Sequence, residues 1–458
     1  MPSRRPNILW YCTDQQRFDT IRALGNPHIN TPRLDQLCRR GVAFRRAYAQ
    51  SPICTPSRAT MLTGRYPASH HVHRNGTAYF PRGEKLVTKR FAEAGYDCGL
   101  VGKLHLSQAK GHEARQDDGY RMYQWSHHPM PDLDPEHHAY HQWLMHEKGV
   151  DPGELYGGLA GFCGAGVPAE LHQTTWCTEM AIRFIREPRD QPWLLSLNPF
   201  DPHPPFDPPQ AYLERYDPAS LPPPLFRPSD LERQKAFAEV AQQTVEAMDP
   251  SGAMPGDERQ GAARSGSAYA PPQSFDGRVV KAAYYAMIEL IDAQFGRLLD
   301  AIAEAGQQGD TLVLFHSDHG EMLGDHGLLY KGARFFEGLV HVPMILAWRG
   351  RFREDLKSEA LIELVDIAPT LLDAAGLEVP AAMQGKSLVP LLTGRGDPHT
   401  HKDHVVAEFH DALGSTARPM ASHASMYFDG RYKHVVYHTE GLGELFDLAE
   451  DPGEFDNL

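Results

Sequence analysis

Short apolar runs of strand length recur along the chain and alternate with segments of helical period. Asn7 to Cys12, Asp97 to Val101, Trp193 to Leu197, Thr311 to Phe315 and Val342 to Trp348 are largely apolar, the pattern of strands covered on both faces. Thr31 to Arg40, Lys85 to Ala94, Thr175 to Arg186 and Val279 to Ala305 repeat their apolar positions at helical spacing. This alternation predicts an α/β fold with a mostly parallel sheet flanked by helices. After Gly376 the texture changes. Val405 to Phe409, Met426 to Phe428 and Tyr432 to Tyr437, the last two joined by Asp429-Gly430, predict antiparallel hairpins. The expected organisation is a large α/β domain over 1–375 and a smaller α+β C-terminal subdomain over 376–458 that carries an antiparallel sheet. Asp249 to Gly277 is rich in Gly, Ala, Ser and Pro without apolar period and reads as a surface insertion. His127 to Gly166 reads as irregular.

The polar residues that follow the strands sharpen this picture. Asn7 to Cys12 leads into Asp14-Gln15, Asp97 to Val101 into Lys103 and His105, Trp193 to Leu197 into Asp201 and His203, and Thr311 to Phe315 into Asp318-His319. Ligands of open parallel sheets bind beyond the carboxyl ends of the strands, so the four clusters are expected to share one crevice. Loops are polar in any case, and a single cluster carries little weight. Four of this composition carry more.

Composition narrows the partners. The 458 residues hold 45 Lys+Arg against 59 Asp+Glu, a formal net charge of −14. That balance excludes the general basic footprint needed by nucleic acid or an anionic membrane surface, and leaves a small anion bound by locally focused positive charge. Protonating the 25 His would raise the charge to +11, so the exclusion holds near or above neutrality. No apolar run reaches the ~18 residues of a membrane span. Ile8 to Cys12, behind Arg4 and Arg5, is too short for a signal and meets Asp14 at once, so it reads as a first strand. The six cysteines, Cys12, Cys38, Cys54, Cys98, Cys163 and Cys177, lack paired metal spacing and point to a reduced compartment. A bacterial cytoplasm is the expected location; a homo-oligomer is left open.

The densest local signal is Cys54-Thr55-Pro56-Ser57-Arg58, followed by Leu62-Thr63-Gly64-Arg65. Pro56 suits the first position of a helix, which would put Cys54 at or just before the cap, among free amides where anions gather. A cysteine alone is more often a small buried apolar residue. This spacing, however, resembles the sulfatase signature, in which the cysteine is oxidised after synthesis to formylglycine. Further segments resemble type I sulfatases in the same order: Pro6-Asn7-Ile8-Leu9, Asn30 to Asp35, Gly102-Lys103-Leu104-His105, Pro202-His203-Pro204-Pro205-Phe206, Ser317-Asp318-His319-Gly320-Glu321 and Glu444 to Leu448. Only 106–175 and 225–278 stay unmatched. The resemblance implies an alkaline-phosphatase-like fold and a sulfuric ester hydrolase acting on a small-molecule sulfate monoester.

Sulfate ester cleavage needs a nucleophile, positive charge and an acid. By resemblance, Cys54 becomes formylglycine through a maturase outside the chain, and its hydrate attacks sulfur. Arg58 would hold that hydrate; alone it reads as a helix-surface ion pair. Asp14, Gln15, Asp318 and His319 match the positions that bind one divalent metal, although Asp14-Gln15 also suits a helix cap. Many family members have Asp at Gln15 and Asn or Gln at His319. Two carboxylates with an added nitrogen donor make calcium less secure and give manganese weight. Lys103 and Lys331 match the lysines that grip sulfate oxygens, and His105 and His203 the residues that orient the hydrate and protonate the leaving oxygen. Asn75 matches a substrate contact, in an Asn-Gly pair that otherwise marks a turn. Phosphonate monoester hydrolases and phosphodiesterases of the superfamily are the alternative. They share formylglycine and the Asp-Gln plus Asp-His metal set, but tend to place hydroxyl side chains where Lys103 and His105 stand. A non-catalytic binder of sulfated ligands would be expected to lack the cysteine, the metal acids or the lysines, and none is missing.

Overall fold

Each apolar run is a strand of one sheet. The strands are β1 (Asn7–Thr13), β2 (Val42–Phe44), β3 (Ala47–Tyr48), β4 (Asp97–Gly102), β5 (Met122–Trp125), β6 (Trp193–Asn198), β7 (Thr311–Ser317), β8 (Met344–Ala347), β9 (Leu356–Ser358) and β10 (Ile362–Glu363). Eight of them lie in the order β5-β4-β6-β1-β7-β8-β2-β9, and β3 pairs with β10 in a small parallel ladder. Every pairing in the large sheet is parallel except the two that β8 makes with β7 and β2. The computed structural model describes residues 5–77, 79–108, 112–159, 161–243, 246–252, 272, 274–410 and 422–458. Most of the stretch expected as a surface insertion, 253–271 and 273, therefore lies outside the described residues.

The central strands show why their sequences carry no polar alternation. On β1, Leu9 and Tyr11 enter the core on one face of the sheet, while Ile8, Trp10 and Cys12 enter the core on the other. Each fully buried large apolar side chain contributes about 2 kcal/mol, so neither face tolerates solvent. Helices Pro32–Arg40, Gln173–Arg186 and the 28-residue Gly277–Glu304 supply residues to the first face. The second face is covered by Cys54–Thr63, Val87–Glu93 and Ile367–Ala374. Leu388, Leu391 and Leu392 still pack on that second face.

The antiparallel sheet begins at β11 (Val405–His410) and continues through β12 (His423–Phe428), β13 (Tyr432–Tyr437) and β14 (Leu442–Asp447), paired in that order. Alternate residues of these strands, such as Val405, Ala407 and Phe409, are buried against Tyr48, Ile53 and the 322–340 segment. Gly430 at φ 97° turns the chain between β12 and β13, so the hairpin expected from the Asp-Gly pair is present, closed by the three residues 429–431. Within 127–166, the described residues 127–159 depart from the irregular reading. They fold into short helical turns at Pro135–His137, Ala139–Trp143, Leu144–Lys148 and Pro152–Tyr156. Asp134 and Asp151 cap two of these ahead of a proline, and Tyr140, Trp143 and Leu144 are buried in the core.

A buried ion pair ties the small sheet to the large body. Arg334 Nη2 donates to Glu444 Oε1 at 2.7 Å, the side chains being 1% and 3% exposed, and the Tyr437 hydroxyl donates to the other oxygen at 2.7 Å. Removing one partner of such a pair leaves the other charged and dry. Arg334→Met is therefore expected to destabilise the fold by about 3 kcal/mol or more, read by denaturant unfolding. A loss below about 1 kcal/mol would mean the pair counts no more than an exposed one.

Candidate active site

Because β1, β4, β6 and β7 are parallel neighbours, the four polar clusters leave the same edge of the sheet, and the side chains meet. Lys103 Nζ lies 2.5 Å from Asp14 Oδ2, and the Gln15 backbone N–H donates to Asp318 Oδ1 at 3.0 Å. Lys331, from the loop after β7, donates to Gln15 Oε1 at 2.6 Å and lies 3.0 Å from His203 Nε2.

The Cys54 sulfur stands at the centre. It lies 3.0 Å from Lys331 Nζ, 3.1 Å from His319 Nε2, 3.6 Å from Asp14 Oδ1 and 3.8 Å from Lys103 Nζ. The helix it heads is buried along its whole length, Cys54–Thr63. Ile53 is the cap, Cys54 the first helical residue and Pro56 the third. This shifts the helix start expected from Pro56 by two residues. The physical reason is that the first helical amides have no partner within the helix, so a residue without N–H is as comfortable third as first. Asn75 Oδ1 accepts the Thr55 N–H at 2.9 Å and so satisfies one of the unpaired amides of the helix's first turn, a structural commitment in addition to any contact with substrate. Arg58, one turn along, is fully buried: its Nε donates to Asp318 Oδ2 at 2.8 Å and its Nη1 to the Lys103 carbonyl at 3.1 Å.

Dense positive charge sets the protonation states. Burial drives the Asp14 carboxyl up, but Lys103, His203, Arg58 and Lys331 together outweigh it and hold the group well below the ordinary carboxylate range. Burial and Asp14 push the Cys54 thiol up, whereas Lys103, Lys331 and His319 pull it further the other way, and the thiol ends below its ordinary value. His203 is held well below the usual imidazole range by burial and then by Lys331. Its Nδ1 is 2.7 Å from the Pro204 carbonyl, which leaves Nε2 as the acceptor from Lys331. His105 is likewise depressed, by burial and then by Lys103.

The donors fit a divalent cation. Ligand atoms of Asp14, Cys54, Asp318 and His319 all lie within 4.8 Å of one another, and Gln15 Oε1 faces the same space through its contact with Lys331. His319 Nδ1 is 2.9 Å from the Gly320 carbonyl, so a proton sits on Nδ1 and Nε2 is the nitrogen that faces the site and would ligate a cation once deprotonated. Glu321, whose role the sequence left unseen, accepts from the Gln15 side-chain amide and from the backbone N–H of Leu323 and Tyr330. It fixes which end of the Gln15 amide points inward. Tyr284, midway along the Gly277–Glu304 helix, braces the same loop by donating to the Gln15 carbonyl at 2.6 Å and accepting the Arg17 N–H at 3.0 Å. No local motif marks Tyr284.

Comparison with known proteins bears on what this cluster is. The family model described as Sulfatase matches residues 6–377, and one described as N-sulphoglucosamine sulphohydrolase, C-terminal, matches 324–458. An arylsulfatase of Clostridium perfringens (strain 13 / Type A) is 30% identical over 472 residues, which cover 99% of this chain and 90% of the relative. The multifunctional alkaline phosphatase superfamily protein PehA of Trinickia caryophylli is also 30% identical, over 490 residues covering 99% of this chain and 91% of that protein. The crystal structure of a phosphonate monoester hydrolase of Agrobacterium radiobacter is similar with a TM-score of 0.79 at 29% identity, covering 99% of this chain and 91% of that one. The family match thus begins at the first strand and runs past the last strand of the large sheet, enclosing every side chain gathered around Cys54, and the chain belongs to the type I sulfatase family of the alkaline phosphatase superfamily, an enzyme family of ester hydrolases.

Proposed function

We propose that this enzyme hydrolyses a small sulfate monoester, using Cys54 matured to formylglycine and one divalent cation among Asp14, Gln15, Asp318 and His319. The observation that carries the reading is the ring of Lys331, His319, Asp14 and Lys103 within 3.0 to 3.8 Å of the Cys54 sulfur. Matured Cys54 supplies a hydroxyl nucleophile and the cation supplies charge stabilisation on the transferred group. The imidazole nitrogen of His319 favours manganese over calcium. Cys54 requires a maturase outside the chain.

The chain's own side chains do the rest. Arg58 neutralises Asp318 from beneath and keeps the Cys54 helix in register with the cation site. Lys103 and Lys331 approach the reacting position from opposite loops, so oxygens on the transferred group meet a positive charge on either side as charge builds there. The proton of this pair is carried by the Lys331 ammonium and accepted by His203 Nε2, so the departing oxygen can take it from Lys331 or, once it has passed across, from His203 Nε2, which leaves Lys331 as a neutral amine until solvent reprotonates it. A sulfate monoester carries one negative charge and a phosphate monoester nearly two, so preference follows where each charge sits as the leaving oxygen departs, and not the number of cations.

A second reading, hydrolysis of phosphonate monoesters or phosphodiesters, is favoured by Gln15 and His319 in the metal set and by the likeness to the Agrobacterium enzyme. Lys103 and His105 separate the two. The double change Lys103→Tyr with His105→Thr is expected to lower sulfatase activity by a larger factor than phosphodiesterase or phosphonate-ester activity, both measured on one aldehyde-containing sample. Equal losses on all esters would remove the basis for preferring sulfate.

A further inference from the structure

The loop that leaves β4 carries Lys103 and His105 along a path that residues with a Cβ disfavour. Gly102 has φ 95°, and a Cβ there would lie 2.0 Å from the Asn198 carbonyl oxygen. His105 has φ 55°, in the left-handed region, where a residue with a Cβ stays only if its surroundings hold it. The two functional side chains are held very differently. Lys103 is fixed by its ion pair with Asp14, by its N–H on the Asn198 carbonyl at 2.9 Å and by Arg58 on its own carbonyl. The His105 ring has no such anchor. Both its nitrogens are buried without a hydrogen-bond partner among the described residues, and the ring only packs edge-on against His127, centroids 4.4 Å apart. Its aim therefore depends on the backbone beneath it.

That backbone is gripped by one carboxylate. Glu113 is completely buried, and its Oε2 accepts the His105 N–H at 2.8 Å and the Trp125 indole N–H at 3.3 Å. Its Oε1 accepts the Leu106 N–H at 2.5 Å and the Ser107 N–H at 2.9 Å. Three successive amides close on the carboxylate as a backbone nest closes on an anion. Both oxygens are used, and every group facing them is a donor.

The geometry points to Glu113 as a positioning residue for His105: its carboxylate holds residues 105–107 in the conformation that seats the His105 ring against His127, two residues along the loop from Lys103. Glu113 touches neither the sulfur nor the metal-binding side chains, and its effect passes through His105. The assignment rests on the active-site reading above.

The test is a double-mutant cycle on metal-loaded enzyme whose Cys54 has been matured, run on whichever ester the wild type cleaves best. Glu113→Gln keeps the size of the side chain but sets an NH2 against N–H donors in either orientation of the amide. It is expected to lower kcat on the order of 10²-fold with a native circular dichroism spectrum, and to cost several-fold less in a His105→Ala background. Equal cost in both backgrounds would overturn the proposal. Backbone exchange supplies a readout that needs no turnover: the amides of 105–107 are expected to be protected in the wild type and to exchange freely in Glu113→Gln, and identical exchange would also overturn it. Should Glu113→Gln fail to fold, Trp125→Phe removes only the indole bond and is expected to show the same background dependence with a loss of roughly threefold. A wild type inert toward every ester would sink the proposed function while the exchange measurement still judged Glu113.

Discussion

Cys54→Ala is expected to abolish hydrolysis, lowering kcat on the order of 10⁴-fold or more, the scale on which deleting a covalent nucleophile acts. The fold should survive the change. The sulfur sits among Lys331, His319, Asp14 and Lys103 and not in an apolar contact, so its removal opens no cavity in the core and relieves a crowded polar site. Arg58 and Asp318 keep each other, and Asn75 still accepts the Thr55 N–H. In wild-type enzyme, peptide mass mapping is expected to find an aldehyde at Cys54 while Cys12 and Cys98, both buried and raised by burial, keep their thiols. Full activity in a sample whose Cys54 is wholly unmodified would contradict the mechanism.

Loss of the cation site is the second large effect. Asp318 Oδ2 accepts from Arg58, while Oδ1 accepts the backbone N–H of Gln15 and His319 at 3.0 and 2.9 Å. Both side chains of the Asp318–Arg58 pair are wholly buried, so Asp318→Ala would strand a guanidinium and cost about 3 kcal/mol of stability as well as metal. Asp318→Asn separates the two consequences. It keeps an acceptor for Arg58 and the shape of the site but removes the charge that a divalent cation needs. Metal content by elemental analysis is expected to fall from about one ion per chain to a small fraction of that, and activity on the order of 10³-fold, the equivalent of several kcal/mol of transition-state charge stabilisation. Undiminished activity after exhaustive chelation of the wild type would count against a role for the ion.

Much of this was legible in the sequence because the central strands announce themselves. β1, β4, β6 and β7 are apolar on both faces, and the polar residues just beyond them have to gather at one edge once the strands run parallel. What stayed hidden depends on contacts distant in the chain. Glu321 stands inside a recognisable segment, yet its hold on the Gln15 amide exists only because β1 and β7 are neighbours. Glu113 comes from a stretch with no readable period, and its value arises from three amides that happen to converge on it. Tyr284 is one aromatic residue in a long buried helix, indistinguishable there from core packing. The helical turns of 135–156 were missed because each is only three to five residues long, too short for a period to register.

The most direct test of the central claim compares kcat/KM for an aryl sulfate, a sugar sulfate, choline sulfate, a phosphodiester and a phosphonate monoester on one metal-loaded preparation with the Cys54 aldehyde verified. At least one sulfate ester is expected to be cleaved with a higher kcat/KM than either phosphorus ester, because Lys103 brings positive charge to 3.8 Å from the Cys54 sulfur and His105 lies two residues on in the same loop, where the alternative class tends to carry hydroxyl groups. Hydrolysis of the phosphonate monoester or phosphodiester far faster than every sulfate ester would contradict it.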